Sequence, residues 1–188
     1  MNTHETWNSI TNEFLVEFKN QTESNWQDSD INPAIYGFQF QRGTRWNEGL
    51  SENEINSYES DLGVRFPIDF KLMLHFMNGT DLPTVNVYGL CGEPYRYSVG
   101  VYAYPRDLSI VQNNIQWVVN NRDEIVESLQ EQGFSLKSTD QFIPIYGHRY
   151  ILCGANIHQS TILSIMDTDA IVYGDSLKTY LIKEFLSK

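Results

Sequence analysis

The chain is poor in cysteine, in positive charge and in long apolar runs. Its two cysteines, Cys91 and Cys153, stand far apart and outside any C-x-x-C pair, so neither a disulfide framework nor a zinc ribbon is expected and both thiols are read as reduced. No run of ~18 apolar residues is present to cross a bilayer. The opening MNTHETWNSI lacks the basic residues and apolar block of a secretory signal, which makes the cytoplasm the expected compartment. Thirteen Lys and Arg against 24 Asp and Glu give a net charge of −11. Such a surface repels nucleic-acid backbones and anionic lipid, and it steers a basic protein partner inward; the same acidity also serves plain solubility. Walker A, G-x-G-x-x-G, H-E-x-x-H, G-x-S-x-G and EF-hand patterns are all missing. The expectation is a protein that is not an enzyme, with no cofactor and no metal.

What is present is enough apolar and aromatic sequence, 41% and 13%, to fill the core of one domain in 188 residues. The clearest local signals lie between residues 50 and 79. Ser51 as N-cap with Glu54 three residues on forms a capping box, Leu50 and Ile55 sit at the staple positions, and Gly63 is suited to a left-handed close. These predict a helix over 52–62 with Ile55, Tyr58 and Leu62 on its buried face. Pro67, Asp69 and Gly79 bound a second helix over 67–77, apolar over most of its circumference.

Ahead of this segment, Trp7, Ile10, Phe14, Leu15 and Phe18 recur at helical spacing over residues 4–19, and the polar stretch 20–32 reads as a linker in which Trp26 has no explanation. The expected organisation is an N-terminal helix and linker over 1–33 followed by a domain over 34–188. Tyr36, Phe38 and Phe40 alternate as in a half-buried strand. Two strands are expected within 85–91 and 95–104, and helical patterns follow at 106–120 and 122–132, as one bent helix or two. Four short apolar runs, 142–146, 149–153, 161–165 and 169–173, predict an antiparallel meander, and Ser176 caps a closing helix carrying Leu177, Tyr180, Leu181 and Phe185. The expected fold class is α+β: a largely antiparallel sheet of about six strands flanked by helices, with an N-terminal helical extension.

The order Trp46, Gly49-Leu50, Ser51, Glu54-Ile55, Glu59, Leu62-Gly63, Phe66-Pro67, Asp69-Phe70, Leu74, Asn78-Gly79 resembles the signature of the SUKH superfamily, the Smi/Knr-type proteins. Ile143-Pro144-Ile145, Tyr146-Gly147-His148-Arg149, Ser164, Asp169, Ile171, Tyr173-Gly174 and Glu184-Phe185 resemble the C-terminal half of a bacterial branch of that superfamily. The likeness covers roughly residues 46–186, and residues 1–33 have no counterpart in it. It implies a SUKH-like fold, with a function among cell-wall-assembly regulators or bacterial immunity proteins that bind and neutralise toxins. No catalytic residue belongs to the signature, whose elements read as caps, core and a turn.

Three clusters carry residue types suited to chemistry or binding. His148, Cys153 and His158 form an H-x4-C-x4-H series without the fourth ligand or the close pairs of a structural zinc site, so Cys153 is read as a structural thiol. His148 and Arg149, with Asp167 or Asp169, suit an ion pair across adjacent strands, either fixing register or recognising a ligand. Asp123, Glu127 and Glu131 recur every fourth residue, with Glu124 on the same side and Ile125, Val126 and Leu129 opposite. That acidic stripe is either a solvated face or the surface that engages a basic protein. Three functions remain: an immunity protein bound to a basic toxin domain, a general interaction scaffold, and a small-ligand binder using His148, Arg149 and Asp169 near Tyr95, Tyr97, Tyr102 and Tyr104.

Overall fold

A computed structural model describes residues 10–88, 95–158 and 160–187. Trp7 and Cys91 lie outside the described residues, and with Cys91 goes the question of its pairing; Cys153 carries a free, buried thiol. The elements in chain order are α1 (Asn12–Gln27), β1 (Gly37–Phe40), α2 (Glu52–Leu62), α3 (Ile68–Phe76), β2 (Thr84–Val87), β3 (Tyr95–Ser98), α4 (Leu108–Asn120), α5 (Arg122–Glu131), β4 (Gln141–Tyr146), β5 (Arg149–Cys153), β6 (Ile162–Met166), β7 (Asp169–Gly174) and α6 (Leu177–Leu181), which passes into a π-helical turn (Ile182–Leu186). The class is α+β.

The strands form two antiparallel sheets, β1-β2-β3 and β4-β5-β6-β7, instead of one sheet of about six. The meander is as expected, with consecutive strands paired from β4 to β7. Each strand of the smaller sheet leads into a single-residue bridge, Trp46 to Thr80 on one side and Val101 to Tyr146 of β4 on the other, with the Thr80 amide donating to the Val101 carbonyl at 3.2 Å. The pairing order therefore persists past the break, but the ladder does not. Two glycines explain the interruption. Gly79 has φ +67°, and a Cβ there would meet the Val101 carbonyl oxygen at 2.5 Å; one at Gly100 would meet Thr80 Oγ1 at 2.2 Å. Backbones that approach this closely leave no room for the side chains of a continuing strand.

The larger sheet is covered on both faces, which is why its strands read as apolar runs instead of clean alternations. Ile143, Ile145, Ile151, Cys153 and Ile162 face the main core with α1, α2, α3 and α6. Phe142, Tyr150, Leu152, Leu163, Ile165 and Ala170 face Val118 of α4 and Ile125 and Leu129 of α5. Successive residues thus go to opposite cores with the strand period of two.

α2 follows its sequence signals closely. Its capping box is formed, and Gly63 closes it at φ 65°, ψ 33°. α3 has Pro67 as N-cap instead of first helical residue, and Ile68 is exposed, so its apolar surround is narrower than expected. The polar stretch 20–32 is not a linker throughout, because α1 continues to Gln27. Thr22 is buried, donating to the Phe18 carbonyl at 2.9 Å and accepting from Trp46 Nε1 at 2.8 Å. Trp26 stacks on Phe40 with ring centroids 4.3 Å apart. The indole placed in a loop by composition is a core residue, and its burial holds the last turns of the helix in place. The centroids of Phe18, Phe40, Trp46 and Tyr146 all lie 5.7 Å from that of Phe185, so the C-terminal turn closes an aromatic hub shared by α1, β1 and β4.

Candidate functional site

α4 and α5 are two helices joined at Asn121, whose amide still donates to the Trp117 carbonyl at 3.2 Å while its own carbonyl accepts from the Ile125 amide at 3.2 Å. Burial of Ile125 and Leu129 fixes the rotation of α5 on the sheet. At ~100° per residue, Asp123, Glu127, Glu131 and Glu124 then sweep the outward arc, and all four are exposed. Asp123 and Glu124 lie in the first turn, where the helix dipole favours them; Glu127 and Glu131 have no such support.

No cation neutralises this arc among the described residues. Arg122, the one base on the helix, turns away: its guanidinium donates to the Asp140 carbonyl and the Lys137 carbonyl, each at 2.9 Å, and lies 5.2 Å above the Phe142 ring. The helix is instead anchored by neutral groups. Ser128 Oγ accepts from the Ala170 amide at 3.0 Å and donates to the Ala170 carbonyl at 3.1 Å, and Gln132 Nε2 reaches the same carbonyl at 2.6 Å. These bonds cap the outer edge of β7, where an unpaired strand would otherwise be open to another chain. Ser128 Oγ also lies 3.4 Å from Asp169 Oδ1. Asp169 is exposed, so the acidic surface runs from α5 onto the end of β7.

His148 and Arg149 lie elsewhere, and the cross-strand pair expected with Asp167 or Asp169 is not formed. Arg149 Nε donates to Glu184 Oε2 at 2.9 Å, with only 12% and 17% of the two side chains exposed. Its Nη1 donates to Ser164 Oγ at 2.7 Å, and its guanidinium lies 3.7 Å from the Tyr173 ring centroid. The pair fastens the C-terminal turn to the sheet, while strand register is set by backbone pairing, in which Asp169 faces Met166 and Arg149 faces Ser164. His148 sits in the turn before β5, its ring centroid 6.1 Å from that of Phe38; burial, with Arg149 beside it, lowers its pKa. Among the described residues no group of His, Cys, Asp and Glu stands close enough to hold a metal ion, so the H-x4-C-x4-H series does not converge. Burial, with Glu59 nearby, pushes the Cys153 thiol up, which leaves it protonated and weakly nucleophilic.

Two features escaped sequence reasoning. Glu184 was visible beside Phe185, but its partner is 35 residues away and no spacing rule joins them. Glu59, on the inner side of α2, is buried and accepts from the Phe66 amide at 2.6 Å and from Lys71 Nζ at 2.8 Å. A charged residue among polar neighbours gives no sign of such a fate.

The fold and this surface define a two-sheet α+β protein presenting an uncompensated acidic helix face. Compared with known proteins, the chain matches no family model, and no curated protein matches it.

Proposed function

We propose that this chain is a non-catalytic binding protein of the immunity type, acting in the cytoplasm, which neutralises a basic toxin domain by occupying it. The class comes from the SUKH-like order of residues over 46–186, and with it the view that the two bridged sheets represent a SUKH-like domain behind an N-terminal extension. The observation that carries the reading is the exposed arc of Asp123, Glu124, Glu127 and Glu131, continued by Asp169 and left uncompensated by Arg122. Charges on an interface rim chiefly raise the rate of encounter with an oppositely charged partner. The signature residues support the absence of catalysis in their own way: Ser51 and Glu54 cap α2, Glu59 ties α2 to Phe66 and Lys71, and Asn78 pairs with both backbone polar groups of Tyr104 at 2.6 and 2.8 Å.

The test is affinity capture from the source cell, followed by co-expression of the captured protein with this chain. One partner that is toxic alone and harmless in complex supports immunity. Several weak partners, none toxic, support the Smi/Knr-type scaffold reading instead. The surface is tested separately by reversing Asp123, Glu127 and Glu131 to lysine, which leaves the Ile125 and Leu129 packing untouched.

A further inference from the structure

A cleft of about 660 Å³ opens between the C-terminal half of α2 and the adjoining ends of β4 and β5, within the ~300–1,000 Å³ range typical of small-molecule sites. Its floor includes the buried Cys153 and the Glu59 carboxylate, and Gln141 faces Cys153 in the strand register. Asn56 and Ser60 line the helix wall, Arg65 the loop after it, and Thr139 and Gln141 the strand wall. These five side chains are exposed, and none makes a hydrogen bond to another group among the described residues. A ligand in the cleft would meet these groups in place of water.

The charges inside the cleft point to an anion. Glu59 is already satisfied by Lys71 and the Phe66 amide. Of the last carbonyls of α2, which would favour a cation, those of Glu59 and Ser60 are covered by the Gly63 and Val64 amides, and that of Asp61 accepts from Gln112 Nε2 at 3.4 Å. Several bases of this acidic chain are engaged, Arg42 with Asp30, Arg106 with Asp107, Arg149 with Glu184 and Arg122 with two carbonyls; Arg45, Arg65 and Lys137 have no ion pair among the described residues, and of these three Arg65 alone lines the cleft. It faces a cleft whose only carboxylate is neutralised. A planar guanidinium beside amide and hydroxyl groups matches an oxyanion bidentately.

We propose that this cleft binds a small anionic ligand, a carboxylate or a phosphate ester, with Arg65 as the charged anchor and Asn56, Ser60, Thr139 and Gln141 as its polar surround. The site is independent of the acidic face of α5. It is tested by amide NMR titration of the full chain with glutarate and, separately, with inorganic phosphate, up to ~10 mM, near the weak limit of specific recognition. Saturable shifts at Gly63, Val64 and Gly154, weakened at least about tenfold in Arg65→Gln, establish the site, and the probe that gives them identifies its oxyanion class. Arg65 is exposed and has no ion pair among the described residues, so Arg65→Gln is expected to fold, which its amide spectrum checks; Gln141→Ala serves as a second variant, with a smaller loss expected. No saturable shift with either probe, or shifts that persist in Arg65→Gln, overturns the proposal.

Discussion

Replacing Glu59 with alanine removes a carboxylate that holds two elements to α2. One oxygen accepts from the Phe66 amide at 2.6 Å, and that amide belongs to a residue only 1% exposed. Stripped of its acceptor in a buried setting, it costs about 1 to 3 kcal/mol. The other oxygen pairs with Lys71 Nζ at 2.8 Å, but the lysine side chain is 25% exposed and can turn to water, so its share is discounted to about 1 kcal/mol or less. The sum is a loss of roughly 1 to 4 kcal/mol, which in a chain of this size lowers the melting temperature by ~2 to 16 °C. Glu59→Gln keeps an acceptor for the Phe66 amide and loses about 1 kcal/mol, while Lys71→Ala loses about the same or less. Thermal and urea denaturation of the three variants measure these differences. A Glu59→Ala protein that melts with the wild type, or a Lys71→Ala protein that falls as far as Glu59→Ala, refutes the division between amide and ammonium.

Two further outcomes follow from buried groups. The Tyr180 hydroxyl is buried and has no hydrogen-bond partner among the described residues, so Tyr180→Phe should stabilise the fold by about 1 to 2 kcal/mol in chemical denaturation; a loss of stability means that the hydroxyl has a partner. His148 titrates in the unfolded chain near pH 6.5, whereas burial and Arg149 keep it neutral to lower pH in the fold. The unfolded state therefore binds more protons in that window, and stability falls as pH drops through 6.5. His148→Gln should flatten this part of the stability profile, while the loss from Glu13 and Glu54, whose pKa values are lowered, sets in only as pH falls through the ordinary carboxylate range; an unchanged slope near pH 6 contradicts the assignment.

The parts of the fold legible in the sequence are those whose causes are local. The Ser51 and Glu54 capping box, the Gly63 close and the four runs that became β4 to β7 are decided within a few residues, and they appear where expected. Residues 20–27 resemble a loop in composition because this last part of α1 buries only Thr22 and Trp26; Trp46 and Phe40, which make it a helix, come much later in the chain. The division into two sheets depends on close approaches at Gly79 and Gly100, between two segments, 79–82 and 100–103, that lie some twenty residues apart in the chain. At the candidate surface, helical spacing placed Asp123, Glu124, Glu127 and Glu131 on one arc, and their exposure agrees with it. Nothing local announced that Arg122 would turn away, that Ser128 would bring Asp169 to the arc, or that Arg149 would choose Glu184.

The most direct test of the acidic-face account is the association rate with the captured partner, followed by stopped flow across a range of salt for the wild type and for the Asp123→Lys, Glu127→Lys, Glu131→Lys variant. The wild-type rate should fall steeply as salt rises, and the variant, equally stable, should associate more slowly with a flatter salt dependence. Equal rates and equal salt slopes for the two proteins would contradict the claim that this face meets the partner.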